Sequence, residues 1–112
     1  MATLRELTAQ AEEDIRAHFR SGASEDDAVS RAADLLGALR LWADRQQRTD
    51  DDVRSVVDSG NSTMLKNIAT ELGQGGGDDA LEASRRLEGI AYGSSDRLDE
   101  IFSLAQTGLQ PS

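Results

Sequence analysis

The side chains that could do chemistry are few and scattered. The chain has 112 residues, with one histidine (His18) and no cysteine. Thiolate metal ligands and disulfides are therefore excluded, and a single imidazole without a strand scaffold gives no basis for a Ser–His–Asp mechanism. The remaining candidates are grouped carboxylates, at Glu12-Glu13, Asp26-Asp27, Asp50-Asp51-Asp52 and Asp78-Asp79.

These acidic groups are better explained as helix caps than as catalytic or metal-binding sites. Neighbouring residues on a helix point to different faces, so adjacent carboxylates do not converge on one ion or one substrate. Three of the four groups stand at predicted helix starts, where the helix dipole favours negative charge. No Glu-x-x-His motif is present, and the run Gly75-Gly76-Gly77 lacks the Lys-Ser/Thr of a phosphate loop. We therefore predict no catalytic residue, no cofactor and no metal site, and a protein that is not an enzyme.

His18 carries a resemblance to an all-helical family. A glycine, Gly22, follows it at the fourth position, which resembles the phosphoacceptor segment of histidine phosphotransfer domains. The resemblance implies an exposed imidazole that accepts a phosphoryl group. That family has a lysine at the third position, where this chain has Ser21, and a cation is needed there to hold the phosphoryl group. The alternative is a histidine at a helix end, whose charged form the helix dipole favours.

Two further segments resemble known motifs. The segment Ile68–Gly73 resembles the first helix and turn of helix-turn-helix DNA-binding proteins, but Asp78-Asp79 follow where a recognition helix needs cations. The segment Tyr92–Asp96 resembles the Tyr-x-x-x-Asp/Glu signal of small helical substrates of type VII secretion, although Trp42 lacks that family's glycine two positions later. For the first segment, the alternative is a core helix capped by Gly73. For the second, the alternative is that Trp42 and Tyr92 anchor helix packing.

Charge narrows the class of partner. The formal net charge is −9, with 21 acidic residues against 12 Lys and Arg. Nucleic-acid binding draws its affinity from basic side chains, so we expect no direct nucleic-acid partner. The acidic balance favours a basic protein partner or serves only solubility. Without a long apolar run or a secretory signal, we expect a soluble protein of the cytoplasm or of a macromolecular assembly, with no membrane contact.

Hydrophobic periodicity predicts an all-α fold, a compact bundle of five to six short helices. A stripe with spacings of three and four, together with a capping box at Thr3 and Glu6, predicts a first helix from about Leu4 to Arg20. A second helix starts after Ser24, and Thr49 with Asp52 indicates a fresh cap before a short third helix. Further helices are predicted around 64–72, from 78 or 79 to 91, and around 98–109. Strands are not expected, because no segment alternates in the way a strand does.

The glycine run divides one domain spanning 1–112. Four helices occupy 1–72, a Gly-rich linker 73–77, and a C-terminal helical hairpin 78–112. A segment of about 35 residues is too short to fold alone. We therefore expect the hairpin to dock on the first four helices, with a swing onto a partner as the alternative.

The second predicted helix has more apolar surface than one neighbour can cover. Such a helix is either central in a bundle or shared with another chain. We predict Leu35, Leu39 and Trp42 as the partner-binding residues.

The predicted function is a non-enzymatic helical protein–protein interaction module. It would be a subunit or adaptor of a larger assembly, such as a phage structural or accessory protein, or a homo-oligomer. One alternative is an acidic inhibitor, antitoxin or immunity protein that masks a basic nucleic-acid-binding site. The minor alternative is the histidine phosphotransfer module.

Overall fold

The computed structural model describes residues 3–17, 26–75 and 77–109. Within these ranges the chain is all-helical and has no strand, as the periodicity predicts. The helices form a compact bundle with a Cα radius of gyration of 12.8 Å. They are α1 (Leu4–Arg16), α2 (Asp26–Arg45), α3 (Asp50–Ser59), α4 (Ser62–Gly75), α5 (Asp78–Ala91) and α6 (Ser95–Leu109).

Local capping explains where α1 and α3 begin. The Thr3 hydroxyl accepts a hydrogen bond from the backbone N–H of Glu6 at 3.2 Å. At α3, the Thr49 hydroxyl accepts from the Asp52 N–H at 3.3 Å, and the Asp52 carboxylate accepts from the Thr49 N–H at 3.0 Å. This reciprocal capping box satisfies two donors that a helix start leaves unpaired. The predicted fresh cap at Thr49 is therefore confirmed.

The break between α2 and α3 is a tight helix end. After Arg45 the chain turns through Gln47, whose φ of 56° lies in the left-handed region. The N–H of Arg48 then donates to the carbonyl of Ala43 at 2.7 Å. A bond that skips back five residues past a left-handed residue is the Schellman closure, here made without glycine.

The second helix, α2, is the centre of the bundle. It packs against α1, α3, α5 and α6, and its apolar positions lie in one continuous core with theirs. Two glycines allow close approaches between helices of the bundle. A Cβ on Gly37 would lie 2.8 Å from the Thr8 Cα, and one on Gly108 would lie 2.8 Å from side-chain atoms of Ile15 and Leu36.

The C-terminal third differs in detail from its predicted arrangement. Helix α4 runs through Gly73 to Gly75, so Gly73 is not a cap, and the positive φ of 92° falls on Gly77 instead. The linker is shorter than predicted, and α5 folds back along α4. The buried Ser84 hydroxyl ties the two helices by donating to the Ala69 carbonyl at 2.7 Å.

Helix α6 docks separately from α5. It packs on α1, α2 and α3, whereas α5 packs chiefly on α4 and α2. The two C-terminal helices therefore both dock on the rest of the bundle, but they do not lie along each other as a hairpin. The reason is that α2 offers each of them its own apolar face, and Gly108 lets α6 approach that helix closely.

Candidate functional site

The three predicted partner-binding residues lie inside the single chain. Leu35 and Leu39 have no exposed surface, and Trp42 is 6% exposed. Neighbouring helices cover their apolar stripe, because α2 is the central helix of the bundle. Of the two explanations for its large apolar surface, a central position or a face shared with another chain, the first therefore applies to these residues. The expectation of a surplus face at these residues is corrected accordingly. Of the three, Trp42 also lines a surface groove.

That groove lies between α3 and α4. The two helices are joined by a short turn at Gly60 and Asn61 but do not pack along each other, because α3 packs on α2 and α6 whereas α4 packs on α5. The space left between them has a volume of about 320 Å³. We call it the α3–α4 groove. It is lined by Trp42, Arg48, Asp52, Ser55, Val56, Met64, Asn67, Ile68 and Glu71.

The groove has an apolar floor and a polar rim. Trp42, Val56 and Ile68 are buried and form the floor. Met64 is 39% exposed, one of the few large apolar side chains on the described surface. The remaining lining residues are polar or charged and stand at the edge. A small concave site with an apolar base and a few polar groups is typical of binding rather than of packing alone.

Trp42 is the best-defined side chain of the groove. Its indole Nε1–H donates to the Glu71 Oε2 at 2.7 Å, a charge-assisted bond that joins α2 to α4. The guanidinium carbon of Arg48 lies 5.6 Å from the centre of the indole ring, within cation–π distance. The groove therefore already holds a cation against an aromatic face.

The adjoining surface of α4 differs in charge from the rest of the chain. Among its 14 residues only Lys66 and Glu71 are charged, although the whole chain carries a net charge of −9. Its exposed positions are otherwise Met64 and small or amide residues, namely Thr63, Asn67, Thr70, Gly73, Gln74 and Gly75. Depletion of charge with an exposed methionine is what interface cores favour.

A larger cleft on another side of the bundle offers less. It has a volume of about 430 Å³ and lies where α1, α2, α3 and α6 meet. Its two arginines already have partners within the chain: Arg40 pairs with Asp14 at 3.1 Å, and Arg54 donates to the Leu109 carbonyl at 2.9 Å. Both guanidinium groups are therefore already engaged, and size alone does not make the cleft a site.

A charged cluster between α1, α2 and α5 is structural in character. The Arg86 Nη1 lies 3.2 Å from the Asp34 Oδ1 and donates to the Thr8 hydroxyl at 3.3 Å. Burial raises the pKa of Asp34 above its ordinary value of 3.8, and this effect outweighs the attraction of Arg86 and Arg31. The cluster ties three helices together but opens into none of the described clefts.

The structure bears differently on the three segments that resemble known motifs. His18 lies outside the described residues. The helix-turn-helix resemblance is wrong at its turn, because α4 continues through Gly73. Tyr92 does not anchor packing, since it is 71% exposed, and its ring lies 4.4 Å from the Lys66 ammonium.

Several acidic groups lie where helix capping predicts. Asp50, Asp51 and Asp52 occupy the first turn of α3, and Asp78 and Asp79 that of α5. Within the described ranges, no three His, Asp or Glu side chains are placed to hold a metal ion. No helix described here combines the length and the apolar character that crossing a membrane requires.

Sequence reasoning found Trp42 but missed its setting. Arg48, Met64 and Glu71 are brought to it by the course of α3 and α4, and no local motif marks them. The one available signal was the low charge of the predicted fourth helix.

Comparison with known proteins adds no assignment: no protein-family model matches the chain, and neither the curated proteins nor the solved structures give a match.

Proposed function

We propose that this chain is a non-enzymatic protein-interaction module, a subunit or adaptor of a larger assembly such as a phage structural or accessory complex. The observation that carries the proposal is the α3–α4 groove, an apolar floor beside the weakly charged face of α4 on an otherwise acidic chain. The occupant is a segment of a partner protein that presents apolar side chains together with at least one cation.

Charge supports a basic partner over a second copy of this chain. Asp52 and Glu71 stand on the two walls of the groove, one on α3 and one on α4. A cationic segment complements both the walls and the net charge of −9. Two copies of this chain would instead bring like charges together. A homo-oligomer is therefore the less favoured outcome, and light scattering at low and high salt would detect it.

The test compares two equally exposed apolar residues. Met64 in the groove is 39% exposed, and Leu81 on α5, outside the groove, is 44% exposed. Wild type, Met64→Asp and Leu81→Asp are used in parallel for affinity capture from cells of the native source. The captured protein is then purified, and its affinity for each form is measured by isothermal titration calorimetry.

We expect a protein that binds wild type and Leu81→Asp alike and binds Met64→Asp at least about tenfold more weakly, about 1.4 kcal/mol. Equal affinity for both variants would overturn the groove as the docking site. Capture of no protein that discriminates between them would do the same.

The net charge also supports a second candidate function, an acidic inhibitor that masks a basic nucleic-acid-binding site. In that case the whole acidic surface contributes, and the affinity depends steeply on salt. Such an inhibitor would bind through many dispersed carboxylates, so Met64→Asp and Leu81→Asp would each change its affinity little and to the same extent.

A further inference from the structure

We infer that the Trp42 ring, together with the Asp52 and Glu71 carboxylates of the same groove, is a recognition site for a guanidinium or ammonium group of the partner, and that Arg48 occupies this site until the partner replaces it. The inference rests on the proposed function, since it concerns the same groove. It adds the chemical group that the groove selects and a contact within the chain that competes for it.

The first support is the position of Arg48 itself. Its guanidinium lies over the indole face, 5.6 Å from the ring centre. No ion pair to Arg48 occurs among the described residues, so this face is its main contact beyond its own backbone. The ring face of Trp42 is thus already suited to a planar cation, and Arg48 marks where a partner's cation would lie.

The second support is the pair of carboxylates. Glu71 uses Oε2 to accept the indole N–H at 2.7 Å, and Asp52 uses Oδ2 to accept the Thr49 N–H at 3.0 Å. The second oxygen of each carboxylate takes no part in these two bonds, and both residues line the groove. A groove that holds an aromatic face and two carboxylates offers a cation both cation–π attraction and charge-assisted hydrogen bonds.

The third support is the backbone that holds Arg48 in place. Gln47 adopts a left-handed φ of 56°, a conformation that glycine takes without cost and other residues do not. This residue turns the chain so that the Arg48 N–H reaches the Ala43 carbonyl at 2.7 Å. The closure of the helix end therefore fixes the backbone of Arg48 close to the Trp42 ring.

When a partner's cation replaces Arg48, one cation on the Trp42 ring is exchanged for another. Arg48 is exposed, so its side chain can move into solvent, and the partner's cation then covers the part of the Trp42 ring that Arg48 leaves. The incoming cation keeps the attraction to the ring, and because its chain enters through the groove it is also placed to approach the Asp52 and Glu71 carboxylates that line the groove. Arg48 therefore weakens binding by competition but leaves the site intact.

Trp42 is the only tryptophan of the chain, so its single indole N–H resonance reports this site directly. The probe is n-butylguanidinium chloride, titrated at constant ionic strength, with n-butylurea as its neutral counterpart. The proteins are wild type, Arg48→Ala and the matched control Arg45→Ala. Arg45→Ala removes the same charge from a residue outside the groove. Circular dichroism is used to check that all three proteins are folded to the same extent.

We expect saturable shifts of the Trp42 indole resonance with butylguanidinium and none with butylurea. Affinity in Arg48→Ala should exceed that in wild type and Arg45→Ala by about fivefold or more. Adding Glu71→Gln or Asp52→Asn to Arg48→Ala should reverse most of that gain. Equal responses in all three proteins, or a response to butylurea of the same size, would overturn the inference.

Failure of the cation site and failure of the proposed function give different results. Should Met64→Asp leave partner binding unchanged while butylguanidinium still binds Arg48→Ala more tightly, the groove is wrong as the docking site but the cation site stands. With the groove established by Met64→Asp, failure of butylguanidinium to discriminate would overturn only the cation site.

Discussion

At the scale of single residues, Gly37 shows how closely two helices approach. A Cβ placed there would meet the backbone of Thr8, 2.8 Å from its Cα and closer still to its hydroxyl. Backbone cannot yield as a flexible side chain can. We expect Gly37→Ala to push α1 away from α2 and to lower the free energy of unfolding by about 1–3 kcal/mol, measured by urea denaturation.

Gly89→Ala is the matched control for this change. It lies in α5, and a Cβ there has no neighbouring atom within 4 Å. Alanine costs less backbone entropy in a helix than glycine, so this variant should be about 0.5–1 kcal/mol more stable than wild type. Similar effects of the two substitutions would contradict the close approach at Gly37.

Asp34 supplies a prediction about pH. Burial raises its pKa above the ordinary value of 3.8, against the attraction of Arg86 and Arg31 and with the help of repulsion from Glu12 and Glu82. The folded state therefore holds this proton more tightly than the unfolded state does. The resulting stability is fully present below about pH 3.8 and is lost as the pH rises through the folded pKa.

The test of this pH dependence is Asp34→Asn, which cannot ionise. Its free energy of unfolding should rise relative to wild type between about pH 4 and about pH 7, as followed by urea denaturation at several pH values. Asp96→Asn controls for the loss of one exposed negative charge. A difference between Asp34→Asn and wild type that is constant with pH would contradict the raised pKa.

At the scale of elements, α3 depends on its cap. It has 10 residues, short enough that a helix on its own would be marginal in water. Thr49→Ala removes the hydroxyl that accepts the Asp52 N–H. We expect a loss of about 0.5–2 kcal/mol in the free energy of unfolding, again measured by urea denaturation.

Thr70→Ala separates capping from the general effect of losing a hydroxyl. Thr70 lies within α4, is exposed, and donates only to the Lys66 carbonyl of its own helix. Alanine is a better helix former, so this change should alter stability by less than about 0.5 kcal/mol. Thr49→Ala should also loosen the loop that holds Arg48, which the Trp42 indole resonance would report.

At the scale of the whole molecule, salt separates the two candidate functions. Contact through the apolar floor and one cation of the α3–α4 groove should change little with ionic strength. We expect the affinity for the captured partner to fall by less than about tenfold between about 0.05 and about 0.5 M NaCl. An inhibitor held by the net charge of −9 would lose far more over the same range.

The sequence alone determined the elements of this protein. Apolar spacing and the pairs Thr3–Glu6 and Thr49–Asp52 marked the all-α class and two helix starts, because caps and periodicity act over three or four residues. It also predicted the acidic groups at the starts of α3 and α5. These features are local, so a single sequence contains them.

Only the tertiary structure decided how the elements are arranged. The apolar girth of α2 fitted a central helix and a shared helix equally well, and packing by four neighbours buried Leu35 and Leu39. The sequence placed the end of α4 at Gly73, whereas in the structure α4 continues to Gly75 and the chain turns at Gly77 so that α5 packs back along α4. The setting of Trp42 beside Arg48 and Glu71 depends on where separate helices meet, and no spacing along the chain encodes that.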